Sequence, residues 1–296
     1  MFTRIVVATD FSDASDSVVG CLHGLRPLGV EEVVLTHALG LRHLMDLKYL
    51  LAPEAERKLQ SQKAALVEQG FEVTVRVEAG IPSLEINRVA RETQADMIVI
   101  GSHGATLARE ILLGSVATEV LHQSRHPVFV ARLKITDTPE GRSSCEMLCT
   151  DFHRHILYAT DFSDTAERAF AYVERFVESG ARRVTLLHVQ DRPVIEPHLR
   201  DRLDEFNRID EERLDRLRAR LRELGADEVS SEVPYGHPVE EIVARAAELE
   251  ATLIVMGTQG RGRLASVMLG NVSLQVARLA GVPVLLVPPL RPGETS

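Results

Sequence analysis

The chain has no tryptophan, and aromatic residues make up only 4% of its 296 positions. With so few aromatics, the cores should be aliphatic. Three cysteines are too few for a disulfide framework at this length and point to a reduced, cytoplasmic setting. No run approaches the ~18 apolar residues that a membrane span requires. The first residues, MFTRIVVATDFSD, lack the longer apolar stretch and small-residue cleavage site of a signal peptide. Positive charge is in deficit: 34 Lys and Arg against 43 Asp and Glu give a net −9. That balance argues against non-specific binding to nucleic acid or membrane.

What is present suffices for two ordinary domains, with 45% apolar and 26% charged residues. The stretch ATDFSD occurs at Ala8–Asp13 and again, 151 positions on, at Ala159–Asp164. Around it RIVVATDFSD faces HILYATDFSD, and His37 falls opposite His188 at the same offset. The offset then grows to 156, where GIPSLEI faces GHPVEEI, DMIVIGSHG faces TLIVMGTQG, and HPVFVAR faces VPVLLVP. So long a period is a duplicated domain and not a solenoid repeat. The expected division is a first domain over 1–134, a polar, turn-rich linker over 135–153, and a second domain over 154–290.

Each half alternates strand and helix. In the first half, strands are expected at Ile5–Thr9, Val33–Ala38, Glu72–Glu78, Met97–Ile100 and Val128–Ala131. Helices are expected at Ser12–Leu28, Leu47–Glu68, Leu84–Thr93 and Ser115–Gln123, with Gly29 as a stop signal. The second half repeats this, with its long helix over Asp201–Leu224. The long helices carry an apolar stripe, read first as core-packing and second as a partner-docking face. Short Val/Ile/Leu strands separated by helices imply an α/β fold: two doubly wound domains, each with a five-stranded parallel sheet covered on both faces. The loops after strands one and four then lie at the carboxyl edge, where ligands bind.

Asp10 and Asp161 close strand one in each half. Ser12 and Ser163 lie against the following helix and suit N-caps better. That leaves two readings for the aspartates, local turn bonding or a ligand contact in the crevice. After strand four the halves read GSHGATLAREILLGSVA and GTQGRGRLASVMLGNVS. Gly101, Gly104 and Gly114 match Gly257, Gly260 and Gly270 in a Gly-x2-Gly-x9-Gly spacing that occurs twice. Glycine permits tight turns and close backbone approach. A helix begins after the third glycine, so free amides and the positive helix end stand where a phosphate binds. Neither GxGxxG nor the GxxxxGK[ST] P-loop occurs.

On these motifs the chain resembles a tandem universal stress protein, over nearly all of its length except the linker and the last few residues. The resemblance implies Rossmann-like domains of the adenine nucleotide alpha hydrolase-like kind. It also implies ATP, with ADP or AMP as alternatives and Mg2+ accompanying the nucleotide, because the glycine spacing followed by Ser or Thr is that family's ATP signature. By resemblance, Asp10 and Asp161 contact the adenosine and the backbone near Ala38 and Val189 faces the adenine. Gly101, Gly104, Gly114, Ser115 and Val116 hold ribose and phosphates in the first half. Gly257, Gly260, Gly270, Asn271 and Val272 do so in the second. Asn271 departs from the usual hydroxyl residue, with Ser273 close by. Arg261 and Arg263 add cations to the second loop where the first has Ala105 and Thr106, partly offset by Arg109. The resemblance further implies pairing of the domains through strand five, here within one chain, and leaves room for a homodimer.

Neither glycine loop offers a carboxylate base apart from Glu110, which falls on an expected helix, and His103 reads as an exposed loop residue. No hydrolase or nucleotidyl-transfer motif appears. Binding with at most slow hydrolysis is therefore expected. Two other readings stay open: a non-nucleotide scaffold built on paired domains, and an adenine-nucleotide enzyme such as a ligase. Cys145, Cys149, His153 and His155 are ligand types that suit zinc, but C-x3-C-x3-H-x-H matches no common module, and a plain linker is the first reading. Cys21 reads as a core residue of the first helix.

Overall fold

The computed structural model describes residues 2–40, 48–102, 113–137, 143–147, 151–195, 202–260 and 269–290. Backbone proximity divides the chain into two compact units, Met1–Thr150 and Asp151–Ser296.

Unit 1 opens with β1 (Arg4–Ala8) and α1 (Asp13–Gly20), followed by a 3-10 helix (Leu22–Leu28). It continues through β2 (Glu32–Gly40), α2 (Lys48–Glu68), β3 (Glu72–Gly80) and α3 (Pro82–Glu92). It then runs through β4 (Met97–Gly101), α4 (Ser115–Gln123) and β5 (Val128–Ala131). All pairings among these five strands are parallel, in the order β3-β2-β1-β4-β5. Winding reverses between β1 and β4, which makes their carboxyl ends the topological switch point where such sheets bind ligands. Val6, Val7, Ile98, Val99 and Phe129 are wholly buried at the centre, as a sheet covered on both faces demands.

The single helix expected over Ser12–Leu28 is in fact two pieces. The chain leaves the α conformation at Cys21 (φ −110°, ψ 7°), and Leu22–Leu28 winds as a 3-10 helix. Pro27 has no amide to donate, and its ring would clash with the carbonyl four residues back in an α-helix. Gly20 and Gly24 lower the helix preference further. Cys21 therefore sits half-buried at the break instead of within a helix core. Gly29 ends the segment in the left-handed region at φ 90°.

The stretch read as a linker contains an antiparallel ladder. β6 (Leu133–Asp137) pairs with β7 (Ser143–Met147), placing Leu133 opposite Met147 and Ile135 opposite Cys145. Its sequence signal is the period-two alternation of Leu133 and Ile135 with Lys134 and Thr136.

Unit 2 contains β8 (Ile156–Ala159), α5 (Asp164–Glu178), β9 (Arg183–Leu187), β10 (Gln190–Asp191) and α6 (Arg192–Ile195). There follow α7 (Leu203–Glu223), β11 (Glu228–Glu232), β12 (Tyr235–Gly236) and α8 (Pro238–Glu248). The unit ends with β13 (Leu253–Gly257), α9 (Asn271–Leu279) and β14 (Val284–Val287). The parallel order is β11-β9-β8-β13-β14. Without Pro or Gly inside it, α5 runs unbroken for 15 residues where its counterpart α1 stops. In unit 1 the β2–β3 ladder is continuous to Gly40 and Gly80. In unit 2 it is interrupted and resumes as the β10–β12 pair. Pro234 lies at the interruption: it has no amide, and only its carbonyl takes part, accepting from Gln190 N at 2.9 Å.

Candidate functional site

Both crevices begin with the same turn. Asp10 Oδ1 accepts hydrogen bonds from Ser12 N (3.1 Å) and Ser12 Oγ (2.5 Å). Asp161 Oδ1 accepts from Ser163 N (3.1 Å) and Ser163 Oγ (2.6 Å). Ser12 and Ser163 cap α1 and α5, accepting from Ser15 N and Ala166 N. Local turn bonding of the aspartates is thus present in both halves, and it engages one carboxylate oxygen in each. Between each Asp and its Ser lies a phenylalanine in the left-handed region, Phe11 at φ 62° and Phe162 at φ 58°. Such a backbone costs on the order of 1–3 kcal/mol and persists only where its surroundings impose it.

Those surroundings are duplicated too. His37 Nδ1 lies 2.8 Å from Thr9 O, and His188 Nδ1 lies 2.7 Å from Thr160 O. Each imidazole stacks obliquely on the phenylalanine, with centroids 4.2 Å apart in unit 1 and 4.6 Å in unit 2. A cation from the long helix covers the ring: Lys58 Nζ is 5.5 Å from the Phe11 centroid and Arg213 Cζ 5.2 Å from that of Phe162. Burial pushes the His37 imidazole below its ordinary range, against the opposing pull of the Thr9 carbonyl and Asp10. The histidines were visible in the sequence only as repeat markers. The phenylalanines and helix cations drew no functional reading, though both recur between the halves.

Ala38 lies inside β2, which runs two residues beyond the expected end, whereas Val189 lies just past β9. In unit 2, His188 N donates to Glu232 O (3.0 Å) and Gln190 N to Pro234 O (2.9 Å). Alternate residues of a parallel strand turn their peptide groups to opposite neighbours. Val189 therefore turns its amide and carbonyl towards the β8 side, beyond the point where Thr160 N makes its bond to Leu187 O. Ala38 stands in the same relation to Thr36, whose carbonyl accepts from Thr9 N.

The glycines serve different ends. A Cβ on Gly257 would lie 2.9 Å from Thr165 Cγ2 and 3.0 Å from the Thr165 carbonyl carbon. Its bareness thus lets α5 pack against the end of β13, a role distinct from ligand access. A Cβ on Gly260 would lie 2.6 Å from Asp161 Oδ2, and one on Gly270 would lie 3.0 Å from Thr258 O. Gly101 ends β4, and Gly114 donates to Ser102 O at 2.9 Å. Gly104 lies outside the described residues, as do His103, Ala105, Thr106, Arg109, Glu110, Arg261 and Arg263.

Gly114 and Gly270 are the N-caps of α4 and α9, and neither helix has a side-chain cap. The first-turn amides, at Ser115 and Val116 and at Asn271 and Val272, have no intrahelical acceptor. Ser115, Val116 and Asn271 are exposed and Val272 is half-buried. Ser273 does not substitute for the missing hydroxyl at Asn271. It is buried, and its Oγ donates to Thr258 O at 2.9 Å. The Thr258 hydroxyl, itself buried, finds no hydrogen-bond partner among the described residues.

Of the cysteine–histidine set, the two histidines lie among the described side chains. Both ring nitrogens of His155 are engaged, Nδ1 with Leu249 O and Nε2 with Thr185 Oγ1, each at 2.9 Å. Cys149 lies outside the described residues, and Cys145 is placed only as a position in β7. His153 packs edge-on to Phe176. Among the described residues no helix is long and apolar enough to cross a membrane.

Comparison with known proteins accords with this duplicated geometry. A universal stress protein of Methanocaldococcus jannaschii is 32% identical over 157 residues, covering 45% of this chain and 97% of the relative. One from Mycolicibacterium smegmatis is 26% identical over 302 residues, covering 96% of this chain and 97% of the relative. The crystal structure of a universal stress protein from Archaeoglobus fulgidus superposes with a TM-score of 0.76 at 27% identity, covering 97% of this chain and 98% of that one. The sequence pattern of the Universal stress protein family matches twice, over residues 1–132 and 153–288, and the chain belongs to that family as a tandem pair.

Proposed function

We propose that this chain is a cytoplasmic adenine-nucleotide-binding regulator of the stress response, with a nucleotide at the carboxyl edge of each unit and at most slow hydrolysis. The observation that carries the reading is the junction of Asp161, Gly260 and the α9 N-terminus in unit 2. The carboxylate closes on a residue with no Cβ. The α9 first-turn amides and the Thr258 hydroxyl, which has no hydrogen-bond partner among the described residues, flank the same loop. Polyphosphate suits uncapped amides at a positive helix end. The Val189 amide and carbonyl offer one donor and one acceptor, which suits adenine, whose edge carries an amino donor beside a ring-nitrogen acceptor.

No group of three His, Cys, Asp or Glu among the described residues forms a metal cage. Mg2+ would be carried mainly by the phosphates and its own water, as this ion prefers. Apart from Glu110, neither glycine loop carries an Asp or Glu in its sequence, which supports a binding role over rapid turnover. ATP is the first choice, with ADP or AMP as alternatives.

The test has two parts. Heat-denatured protein should release adenine nucleotide on chromatography, and calorimetry should show saturable ATP binding that G104V and G260V weaken. A chain that releases nothing and shows no saturation, yet forms a stable oligomer, would be a scaffold instead.

A further inference from the structure

The two carboxyl edges differ in one coherent way. Three positions that are apolar in unit 1, Leu39, Ala55 and Ala79, are Gln190, Asp210 and Tyr235 in unit 2. The alignment of the long helices rests on fully buried Leu59 and Leu66, which match Leu214 and Leu221. It also matches Lys58 with Arg213, each over its phenylalanine.

In unit 2 Asp210 reaches His188, and Gln190 in turn reaches Asp210. Asp210 Oδ2 lies 3.4 Å from His188 Nε2 and accepts from Gln190 Nε2 at 3.1 Å. Arg213 Nη1 lies 3.8 Å from Asp210 Oδ1. Both Asp210 and His188 are buried. The charged and titratable groups on the elements that meet the imidazole are Asp210 and Arg213 from α7, Asp161, which follows the Thr160 that His188 bonds, and Tyr235 on β12, the register partner of Gln190. His188 Nδ1 faces a carbonyl, which only accepts, so that nitrogen carries a proton. Burial alone would raise Asp210, but hydrogen bonds from His188 and Gln190 outweigh it and hold the carboxyl below its usual range. A neutral imidazole protonated at Nδ1 turns a lone pair towards that carboxylate. A doubly protonated one donates to strand one and to α7 at once.

We propose that His188 and Asp210 are a proton-linked positioning pair, fixing the Val189 segment between the end of β8 and α7 so that ligand affinity in unit 2 strengthens as the imidazole gains its second proton. Unit 1 lacks the device, because Ala55 stands where the carboxylate would be. The consequence for affinity rests on the nucleotide reading, whereas the pair itself does not.

The experiment uses the full chain and Asp210→Asn, which keeps the side-chain shape and removes the charge. A fluorescent ATP analogue is titrated at pH 8 and pH 6. The ratio of parent to D210N affinity cancels the ligand's own ionisation and should be about threefold or more larger at pH 6. An unchanged ratio overturns the proposal. Ring-nitrogen NMR of ligand-free protein provides a second measurement. The His188 Nε2 signal should move on D210N at pH 6, because Asp210 Oδ2 lies 3.4 Å from that nitrogen, and a signal unmoved by the substitution overturns the pair. If nucleotide fails to bind at either pH, the functional reading falls, and the ring-nitrogen signal still decides the pair.

Discussion

Oδ2 of Asp161 stands 2.6 Å from the point where a Cβ on Gly260 would be placed. The duplicated strand-one aspartate and the glycine loop are thus parts of one surface, though 99 residues apart in sequence. Gly260→Val should force the carboxylate away and open the loop. Gly260 is exposed and Asp161 half-buried, so stability should fall by less than about 1 kcal/mol, as for substitutions away from the core. ATP affinity in unit 2 should drop on the order of tenfold or more, a loss of about 1.4 kcal/mol. Calorimetry read beside thermal melting separates the two effects, and an unchanged affinity would remove Gly260 from the site.

Gly257 should behave in the opposite way. A methyl there meets the Thr165 backbone and Ala166 N, the latter at 3.1 Å. Backbone cannot rotate aside as a side-chain tip can. Gly257→Ala should therefore destabilise unit 2 by about 1–3 kcal/mol, the usual cost of overpacking. Urea unfolding followed by circular dichroism is the measurement.

The contrast shows what could be read in advance. Spacing and duplication disclosed both glycines, because repetition at a fixed offset needs no geometry. They could not disclose that one glycine faces a helix and the other a carboxylate, since that depends on how α5 and the loop meet. The α/β class with parallel strands was legible from the short Val/Ile/Leu runs alternating with helices, each run being buried on both faces. The break at Cys21 was missed because apolar periodicity outweighed Pro27 in the reading. The His188–Asp210 pair was invisible because its members lie on a strand end and a helix 22 residues apart, with no counterpart at Ala55 to mark the position.

Acid should weaken the fold, and more in unit 2 than in unit 1. Burial pushes His37, His153 and His155 below their ordinary imidazole range. Folding therefore favours their neutral forms. Above the unfolded value near 6.5 nothing is lost; as pH falls below it, the unfolded chain takes up protons first and stability declines until the folded groups also titrate. Two of the three lie in unit 2. At the place of His155, unit 1 has Arg4, whose Nη1 donates to Thr93 O at 2.6 Å, as His155 Nδ1 bonds to Leu249 O. Arginine keeps its charge throughout this range. Urea midpoints at pH 7.5 and 5.5 should fall with acid, and His155→Gln should flatten the dependence while lowering the midpoint at pH 7.5. A steeper acid dependence in the variant would refute the assignment.

The N-cap serines should matter to both fold and crevice. Ser163 Oγ accepts from Ala166 N (3.2 Å) and donates to Asp161 (2.6 Å). Ser163→Ala should cost about 1 kcal/mol through the lost cap. It also leaves Asp161 with the Ser163 amide alone in that turn, so ATP affinity should fall together with the melting temperature.

Replacing the aspartates themselves separates the two roles left open by the sequence. Asparagine can still accept at Oδ1 from the Ser12 or Ser163 amide and hydroxyl, so Asp10→Asn and Asp161→Asn should preserve the turn and the melting temperature. Alanine cannot, and Asp161→Ala should lower the melting temperature as the Phe162 turn loses its anchor. If the carboxylate also accepts from ligand hydroxyls, removing its charge should forfeit about 1.5–3 kcal/mol, or roughly ten- to a hundredfold in affinity. Asn variants that melt like the parent and bind ATP ten- to a hundredfold more weakly would assign the oxygen not held by serine to the ligand. Asn variants that bind like the parent would confine both aspartates to shaping the turn, and the site would then depend on backbone amides alone.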